Sequence, residues 1–436
     1  MMWNSRYLFV TICFVLFSGT LVTCAKLSGA EELDFTQTSL PIIWYAPFFS
    51  GGGYCSEAIS FVLALHYAGV RIKIVHHGDS FSPKFVSGLP QAESSVLMKL
   101  TQTIVDPSDA IVICHSEPGA WHPSRWPTSL CPPANSKFKI GRTMFETDRI
   151  PDGWNERLNK MDEVWVPTKF HTATFQAGGT VIPIRVVGEP IDTSFFDPGA
   201  VDTLLDLEGG DRVSLRETRF LSIFKWEARK GWDILLKAYI REFASHTDEV
   251  RLYLLTNPFH GKGNFDEQID KFITETLHVS ASEKKHLPKI HILKPGLNQI
   301  DLPRLYKSVD ALVQPSRGEG WGRPHVEAMS MSLPVIATNW SGTSEFLTNE
   351  NSYPLEIESM STIQDGAFKG HKWAEPSVEH LQRLMRRVHE NKDERRKKGI
   401  AARLDMLAHY SPATMAEKVM GEIYRIALNA RKVDEL

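Results

Sequence analysis

The chain has 436 residues, of which 42% are hydrophobic and 23% are charged, and its formal net charge is -3. This composition is that of a globular protein with room for two or three domains. The nearly neutral charge leaves no basic stripe of the kind that binds a phosphate backbone, so nucleic acid is excluded as an expected partner.

The N-terminus carries an apolar stretch between residues 7 and 25, directly after Arg6. A charged start, an apolar segment and a small residue at Ala25 are typical of a secretory signal. The stretch is longer than the roughly 7 to 15 residues of a signal core and approaches the roughly 17 to 25 that span a bilayer. Residues 1–40 are therefore predicted to be a signal-anchor, or a cleaved signal peptide, with a stem; a buried first element is the alternative.

This interpretation places the body of the chain in the lumen of the endoplasmic reticulum or Golgi, with the N-terminal segment as its contact with the membrane. The last four residues, VDEL, resemble a retrieval signal that lacks its basic first residue, or are a coincidence. Outside the apolar stretch, Cys55, Cys114 and Cys131 make no metal-binding spacing and allow at most one disulfide.

From Pro41 onward, short apolar runs alternate with segments of helical periodicity, which indicates stacked βα units. Runs rich in Val and Ile favour parallel strands that are covered on both faces. A segment rich in Pro, Gly and Asp, residues 190–212, shows neither period and marks a boundary. The predicted strands are 41–48, 70–77, 109–116, 138–146, 163–168 and 182–189 before this boundary, and 219–224, 250–256, 289–295, 310–316 and 334–338 after it.

The predicted fold is α/β, with two doubly wound Rossmann-like domains that face each other across a cleft. The first of these domains covers 41–195, a linker 196–215, and the second domain 216–410. Sheets of this kind bind ligands outside the carboxyl ends of their strands, so the active site is expected in the cleft.

Residues 377–403 are predicted to be a basic, solvated helix, with an anionic lipid surface as the alternative. In the last segment, 411–436, Ser411 and Pro412 begin a helix.

A glycine-rich loop follows the strand that ends near Ser316, and Pro324 is predicted to begin the next helix. Without side chains in the way, amides at the positive end of a helix dipole can meet a diphosphate. The spacing is neither G-x-G-x-x-G nor a P-loop, which weakens the dinucleotide and Walker interpretations. The predicted donor-binding residues of this loop are Gly320, Trp321, Gly322 and Arg323.

Two carboxylates flank this anion site, Glu319 in the loop and Glu327 about one turn into the helix. Acids beside a diphosphate repel it unless they bind hydroxyl groups at its two ends. A nucleotide sugar has that layout, with ribose at one end and the sugar at the other. The alternative is a pair of solvent-facing acids in a glycine-rich turn.

Positive charge is predicted at another strand end of the same domain, where Lys225 follows the strand and Lys230 opens the next helix. Lysines at the mouth of a parallel sheet can neutralise charge on a departing phosphate, although surface lysines are also common. Across the cleft, amides of Gly52 and Gly53 could meet the same phosphates, or form a plain tight turn that caps a helix.

These motifs together resemble the GT-B glycosyltransferases, specifically the retaining family numbered four. The segments that carry the resemblance are GEGWGRPHVEA, PVIATNWSGTSEFL, FLSIFKWEARKG and GEPIDTSFFDP, and the likeness extends from about Ile42 to Leu428. The resemblance implies that Glu319 contacts the donor sugar and Glu327 the ribose. It also implies that the two lysines contact the diphosphate, that the Gly52-Gly53 loop closes over the site, and that the last helix crosses back to the first domain.

Two departures from the family pattern concern the site. Lys225 stands where the family usually has Arg, which points to contact by a point charge instead of a bidentate fork. Glu146 and Asp148 follow a central strand where many relatives show His. Glu146 is therefore the candidate acceptor-side residue, with Asp148 beside it; salt bridges of these acids with Arg142 or Arg149 are the alternative.

His115, at another strand end, is a weaker acceptor-side candidate, with a structural histidine as the alternative.

The implied activity is transfer of a sugar from a nucleoside diphosphate, UDP or GDP, to an unidentified glycan, lipid or protein acceptor. Retention at the anomeric carbon is expected, with no cofactor and no metal. Glu319 and Glu327 flank a phosphate site and so are badly placed as a glycosidase pair, which favours departure and attack on one face of the sugar. A binding protein without turnover and a hydrolysing epimerase are the alternatives.

Overall fold

The computed structural model describes residues 40–203, 207, 217–244, 248–258, 263–293, 297 and 299–434. Within these ranges the fold consists of two six-stranded parallel sheets and one two-stranded antiparallel hairpin. The predicted α/β fold with two Rossmann-like halves is confirmed. The predicted signal-anchor falls on residues 1–39, outside the described ranges. None of the described helices combines the length and the apolar character needed to cross a membrane.

The first sheet is built from the apolar runs that precede the predicted boundary, and each of these runs supplies one strand. Its strand order is β2-β1-β3-β4-β5-β6, the flavodoxin-like pattern in which the order reverses between the first and third strands. The strands are β1 Ile42–Ala46, β2 Ile72–His76, β3 Ile111–His115, β4 Phe138–Arg142, β5 Glu163–Val166 and β6 Ile184–Val186.

The second sheet has the order β12-β11-β10-β7-β8-β9, which read from β9 is the Rossmann order 3-2-1-4-5-6. Its central strands are completely buried, as their Val, Ile and Leu content predicts. The strand order reverses between β7 and β10, so the loops after these two strands open the crevice of this sheet. The strands are β7 Thr218–Trp226, β8 Val250–Pro258, β9 Lys289–Ile292, β10 Ala311–Gln314, β11 Val335–Thr338 and β12 Tyr353–Leu355.

Helices cover both sheets, as expected for doubly wound domains. The helices associated with the first sheet are α1 Gly53–Tyr67, α2 Pro83–Ser87, α3 Gln91–Thr101, α4 Trp154–Leu158 and α5 Lys169–Ala177. Those of the second are α6 Trp232–Glu242, α7 Phe265–Lys271, α8 Ala281–Lys284, α9 Leu302–Lys307, α10 Arg323–Ser330, α11 Val378–Glu390 and α12 Lys392–Asp405. The short turns Ala228–Lys230 and Ser341–Glu345 are 3-10 helices, and Phe272–Thr276 and Met406–Tyr410 are π turns.

The last helix, α13 Pro412–Asp434, returns from the second half to the first. Its apolar face, with Met415, Val419 and Ile423, packs in the same core as the residues of α1 and the first sheet. The Ser411 hydroxyl accepts a weak bond from the Thr414 amide at 3.4 Å, as expected of a capping residue. The predicted crossover helix is therefore confirmed.

The predicted basic helix over 377–403 is in fact two helices, because the backbone of Asn391 leaves the helical region with φ -112° and ψ 73°. Asp393 and Glu394 then occupy the first turn of the second helix, where acids favour a helix start. The sequence analysis also missed β12 and the hairpin formed by β13 Ile357–Thr362 and β14 Lys372–Pro376. β12 is only three residues long and contains Pro354, whereas the hairpin strands are too polar for the buried-strand pattern used to find the others.

The domain boundaries themselves stay predictions, but core packing bears on where the halves meet. Ile191 and Phe196 lie in the same apolar cluster as residues of β7 and β10. The Ser330 hydroxyl of α10 donates to the Phe196 carbonyl at 2.8 Å. The segment after β6 thus packs with the second half before the predicted linker begins.

One disulfide joins Cys114, in β3, to Cys131, and Cys55 is a buried free thiol. The sequence predicted at most one disulfide among these three cysteines, and the structure shows that it joins Cys114 and Cys131. The disulfide links a central strand of the first sheet to the long segment that precedes β4.

Two helical glycines allow a matched test of the packing between α10 and α12. A Cβ atom at Gly399 would overlap the backbone carbonyl oxygen of Ser332, whereas one at Gly421 would meet nothing within 4 Å. We expect Gly399→Ala to lower the free energy of unfolding by about 2 kcal/mol. Gly421→Ala, on the exposed side of α13, should raise it by about 0.5–1 kcal/mol. Urea titration followed by circular dichroism measures both, and equal effects would contradict the packing described.

Candidate functional site

The candidate site lies where the strand order of the second sheet reverses. The turn Ala228–Lys230 follows β7, and the glycine-rich loop from Ser316 to Gly322 follows β10. Because the carboxyl ends of parallel strands meet at one edge, these two loops are brought together there. The backbone confirms this contact, since the Arg317 amide donates to the Arg229 carbonyl at 2.6 Å.

Glu319 is the centre of the site. Lys230 Nζ donates to both of its carboxylate oxygens, at 2.6 and 2.7 Å. Arg229 donates to Oε2 at 3.1 Å, and the Ser316 hydroxyl to Oε1 at 2.7 Å. The residue is only 7% exposed. The carboxylate is thus fixed by two cations and one hydroxyl from the two loops that follow the central strands.

The charges of this cluster set the protonation of its members. Burial raises the pKa of Glu319, but the positive charges of Lys230 and Arg229 lower it well below its ordinary value. Burial and the charge of Arg229 lower the pKa of Lys230, with Glu319 opposing them. Burial lowers the pKa of Arg229, whereas Glu146 and Glu319 raise it overall. Glu319 is therefore an anion between cations near neutral pH.

The glycine-rich loop is pressed against the first half of the chain. A Cβ at Gly318 would overlap the carbonyl oxygen of Glu146, and one at Gly320 would overlap the sulfur of Met144. The sequence analysis explained these glycines by a diphosphate. In this structure the segment after β4 also requires glycine at both positions, because it leaves no room for a Cβ atom.

At the end of the loop, Gly322 has φ 114°, a left-handed conformation that favours glycine, and α10 begins at Arg323, one residue before the predicted Pro324. The side chain of Trp321 is 2% exposed and lies 5.0 Å from the ring of Phe346, in the core of the second half. Any contact of Trp321 with a donor is thus through its backbone.

Arg323 and Glu327 lie on the first two turns of α10. Arg323 donates to the Pro190 carbonyl at 2.8 Å and so reaches the segment that connects the halves. Glu327 accepts a bond from the Tyr306 hydroxyl at 2.8 Å, and its nearest cation is Arg323, at 4.0 Å. Burial raises the pKa of Glu327 above its ordinary value, whereas cations lower that of Glu319 on balance. The two glutamates therefore stand in electrostatically different surroundings.

The two predicted lysines differ in placement. Lys230 lies in the centre of the cluster, with its side chain 15% exposed. Lys225, near the end of β7, is exposed, and its side chain makes no hydrogen bond or ion pair with the described residues. Of the two lysines, Lys230 contacts Glu319 and Lys225 does not.

Glu146 contacts neither Arg142 nor Arg149, so the salt bridges considered for it from the sequence are wrong. Its Oε1 lies 3.1 Å from Nε of Arg229, in the other half of the chain. Arg142 instead donates to the buried Glu57 at 2.8 Å. Glu146 is therefore part of the Glu319 cluster across the cleft.

Asp148 faces the hairpin. It is ion-paired with Arg149 at 3.2 Å, as considered from the sequence, and its Oδ1 accepts a bond from the Lys372 amide at 2.6 Å. The neighbouring Thr147 hydroxyl is 2.8 Å from Nδ1 of His371. The hairpin, which the sequence analysis did not predict, thus covers the segment that carries both acceptor-side acids.

His115 is completely buried. Its Nε2 lies 3.0 Å from Glu57, and its Nδ1 accepts a bond from the Trp44 indole at 3.1 Å. Burial lowers the pKa of His115, against the effect of Glu57. The structure thus places His115 in an internal polar cluster of the first sheet and away from the Glu319 cluster.

The loop after β1 belongs to the same contact region between the halves. Gly52 caps α1, and Gly53 is exposed with open space where a Cβ would be. The next residue, Tyr54, donates from its hydroxyl to the Met144 carbonyl at 3.1 Å. The Gly52-Gly53 loop therefore adjoins the segment that contacts Gly320.

Two residues of the cluster were missed from the sequence. Arg229 contacts three carboxylates, and its position directly before Lys230 was the available signal. His325 is 1% exposed, and burial lowers its pKa to about 4 despite the nearby charge of Glu319, so it is neutral at physiological pH. Among the described residues, no group of three or more His, Cys, Asp or Glu side chains could hold a metal ion.

Replacement of Glu319 by Gln removes the carboxylate that Lys230 contacts and leaves Arg229 with Glu146 and Glu227. We expect Glu319→Gln to lower the free energy of unfolding by about 3 kcal/mol near neutral pH. Because the folded pKa of Glu319 is below the unfolded value, its contribution is present above about pH 4.5 and is lost as the pH falls toward the folded pKa.

The difference in unfolding free energy between wild type and Glu319→Gln should therefore shrink between about pH 6 and about pH 3. Denaturant titrations at several pH values measure it. A difference that grows on acidification would contradict the ion pairs described, and Glu275→Gln, which removes an exposed surface carboxylate, serves as the control.

Comparison with known proteins finds similarity to a family over part of the second half, which includes Glu319 and Glu327. Residues 274–405 match the family model of glycosyl transferases group 1. Spore coat protein SA of Bacillus subtilis (strain 168) is 30% identical over 126 residues, which are 28% of this chain and 31% of that protein. The match thus spans about a third of the length of this curated relative.

Solved structures of similar fold cover most of the chain. Sucrose-phosphate synthase from Thermosynechococcus elongatus has a TM-score of 0.60 and 14% identity, over 90% of this chain and 100% of that chain. A glycosyltransferase from Rickettsia africae ESF-5 has a TM-score of 0.57 and 18% identity, over 89% and 99%.

The Anabaena protein HepE, in complex with UDP-glucose, has a TM-score of 0.56 and 15% identity, over 88% of this chain and 98% of that chain. Likeness at such identities shows the fold. Over residues 274–405 the chain therefore matches the group 1 glycosyl transferases, and its fold is the two-domain GT-B fold.

Proposed function

We propose that the chain is a retaining glycosyltransferase, which moves a sugar from a nucleoside-diphosphate donor to a glycan, lipid or protein acceptor. The observation that carries the proposal is the cluster of Glu319, Lys230 and Arg229 at the reversal point of the second sheet. Cations placed there can neutralise the charge that develops on a departing diphosphate. Glu319, fixed between them, can accept hydrogen bonds from hydroxyl groups of the donor sugar.

The donor is proposed to be a UDP-sugar or a GDP-sugar. Support for a nucleotide sugar comes from the group 1 domain and from the Anabaena protein of similar fold that binds UDP-glucose. Glu327 is the proposed ribose contact, because it lies on α10 behind the loop, where the Tyr306 hydroxyl donates to it at 2.8 Å. Gly52, Gly53 and the amides of Gly320 to Arg323 are the proposed backbone contacts of the donor.

Retention is proposed from the resemblance to the retaining glycosyltransferases, and the surroundings of the two glutamates bear on the mechanism that would achieve it. A covalent mechanism needs a carboxylate free to attack the anomeric carbon. Glu319 already accepts bonds from two cations and one hydroxyl, and Glu327 from Tyr306. We therefore propose that the acceptor hydroxyl attacks from the face that the diphosphate leaves. A phosphate oxygen takes the hydroxyl proton, while Lys230 and Arg229 stabilise the leaving group.

The experiment incubates the purified full-length chain with UDP-sugars and GDP-sugars and follows donor cleavage and product configuration by NMR. Wild type should consume one donor with retention at the anomeric carbon. Glu319→Ala should lower the rate by about 100-fold or more, on the scale of other electrostatic contacts to a transition state. Glu275→Ala, at an exposed surface pair, should leave the rate unchanged.

Three outcomes would contradict the proposal. Binding of a nucleotide sugar without turnover would indicate a binding protein. Donor cleavage that is unaffected by Glu319→Ala would remove the residue from the mechanism. An inverted product would remove front-face attack while leaving glycosyl transfer in place.

We further propose that the body of the chain lies in the lumen of the secretory pathway. The Cys114–Cys131 disulfide supports this location, because disulfides persist in oxidising compartments. The apolar stretch between residues 7 and 25 is the proposed targeting segment. In microsomes, a tag at the C-terminus should resist added protease until detergent is present. Digestion of the tag in intact microsomes would place the body on the cytosolic side.

A further inference from the structure

Arg229 is the cation through which the two halves of the chain are joined at the site. Its guanidinium lies 3.1 Å from Glu146, 2.8 Å from Glu227 and 3.1 Å from Glu319. Lys230 is the second cation of the group. Three carboxylates thus face two cations, and the cluster carries excess negative charge before any ligand arrives.

A diphosphate brings further negative charge into this cluster, so binding is favourable only if one carboxylate gives up its place on Arg229. Glu319 is buried, and Lys230, Arg229 and Ser316 all donate hydrogen bonds to its carboxylate. Glu227 lies two residues before Arg229 in the same turn and moves with it. These two acids are therefore poorly placed to leave.

Glu146 differs from both in each respect. It belongs to the other half of the chain, and its side chain, at 26%, is the most exposed of the three. Arg229 is the one ion-pair partner it has among the described residues. Because both side chains of this pair are partly open to solvent, a multivalent anion can reach the guanidinium and replace Glu146 there. Glu146 is the carboxylate that can leave at the lowest cost.

We propose that Glu146 occupies the position on Arg229 that a donor phosphate takes, so that the donor and Glu146 compete for this guanidinium. The inference rests on the proposed function and assigns Arg229 to phosphate contact beside Lys230. Glu146 is then a positioning residue that acts through Arg229. Because the Glu146 carbonyl also lies against Gly318, its displacement loosens the contact between the halves at the loop that carries Glu319.

The test measures affinity for inorganic pyrophosphate, UDP and GDP by isothermal titration calorimetry on the full-length chain. Pyrophosphate is included because its binding does not depend on the donor base. Glu146→Gln keeps the shape of the side chain and removes its charge. We expect it to bind pyrophosphate and the matching nucleotide about five- to tenfold more tightly than wild type.

Glu345→Gln is the matched control. Glu345 also joins the halves, accepting a bond from the Lys169 amide at 2.8 Å, but it has no contact with Arg229. Its affinity should stay within about twofold of wild type. In an Arg229→Gln background, Glu146→Gln should bring no gain, because the site of competition is gone. Should Glu146→Gln fail to fold, Glu146→Asp, which draws the carboxylate back, should give a smaller gain.

Each result decides between the possibilities. Wild-type binding that Glu146→Gln leaves unchanged or weakens would overturn the competition while leaving the proposed function standing. Equal gains in Glu146→Gln and Glu345→Gln would show that loosening of the halves is the cause, and would also overturn it. Failure of every variant to bind pyrophosphate, UDP and GDP would contradict the proposed function and this inference with it.

Discussion

The site depends on one ion-pair cluster, in which Glu319 is held between Lys230 and Arg229. A buried carboxylate is costly unless cations and hydrogen bonds compensate it, and here both come from loops that the second sheet brings to one edge. The fold therefore has to place the ends of β7 and β10 side by side before the cluster can exist. The Rossmann order of this sheet, with its reversal between those strands, provides that placement.

The contact between the halves is built around the same cluster. Gly318 and Gly320 let the loop approach the segment after β4, and Arg229 reaches across to Glu146. The hairpin holds that segment from the other side through Asp148 and Thr147. A loop proposed to bind the donor thus also contacts the first half. This dual use connects domain closure to the electrostatics of the site, since a change at Arg229 affects both.

Charge separates residues that the sequence treats alike. Glu319 and Glu327 are both buried acids near one loop, yet cations lower the pKa of the first, and burial raises that of the second. Lys225 and Lys230 are both lysines after β7, yet only Lys230 contacts Glu319. In each pair the difference arises from neighbours that are distant in the chain, because electrostatic energies depend on spatial surroundings. Such differences are invisible to motif reasoning.

Local patterns in the sequence determined the two parallel sheets, the crossover helix and the loop that carries Glu319, because apolar runs, caps and glycines act over a few residues. The polar strands β13 and β14 and the short, proline-containing β12 lacked such a pattern, and the break at Asn391 had only a weak signal. Only the tertiary structure decided that Glu146 pairs with Arg229, that His115 is buried with Glu57, and that Cys114 pairs with Cys131. The physical reason is that these contacts join residues from different elements, and their partners are chosen by how the sheets and halves pack.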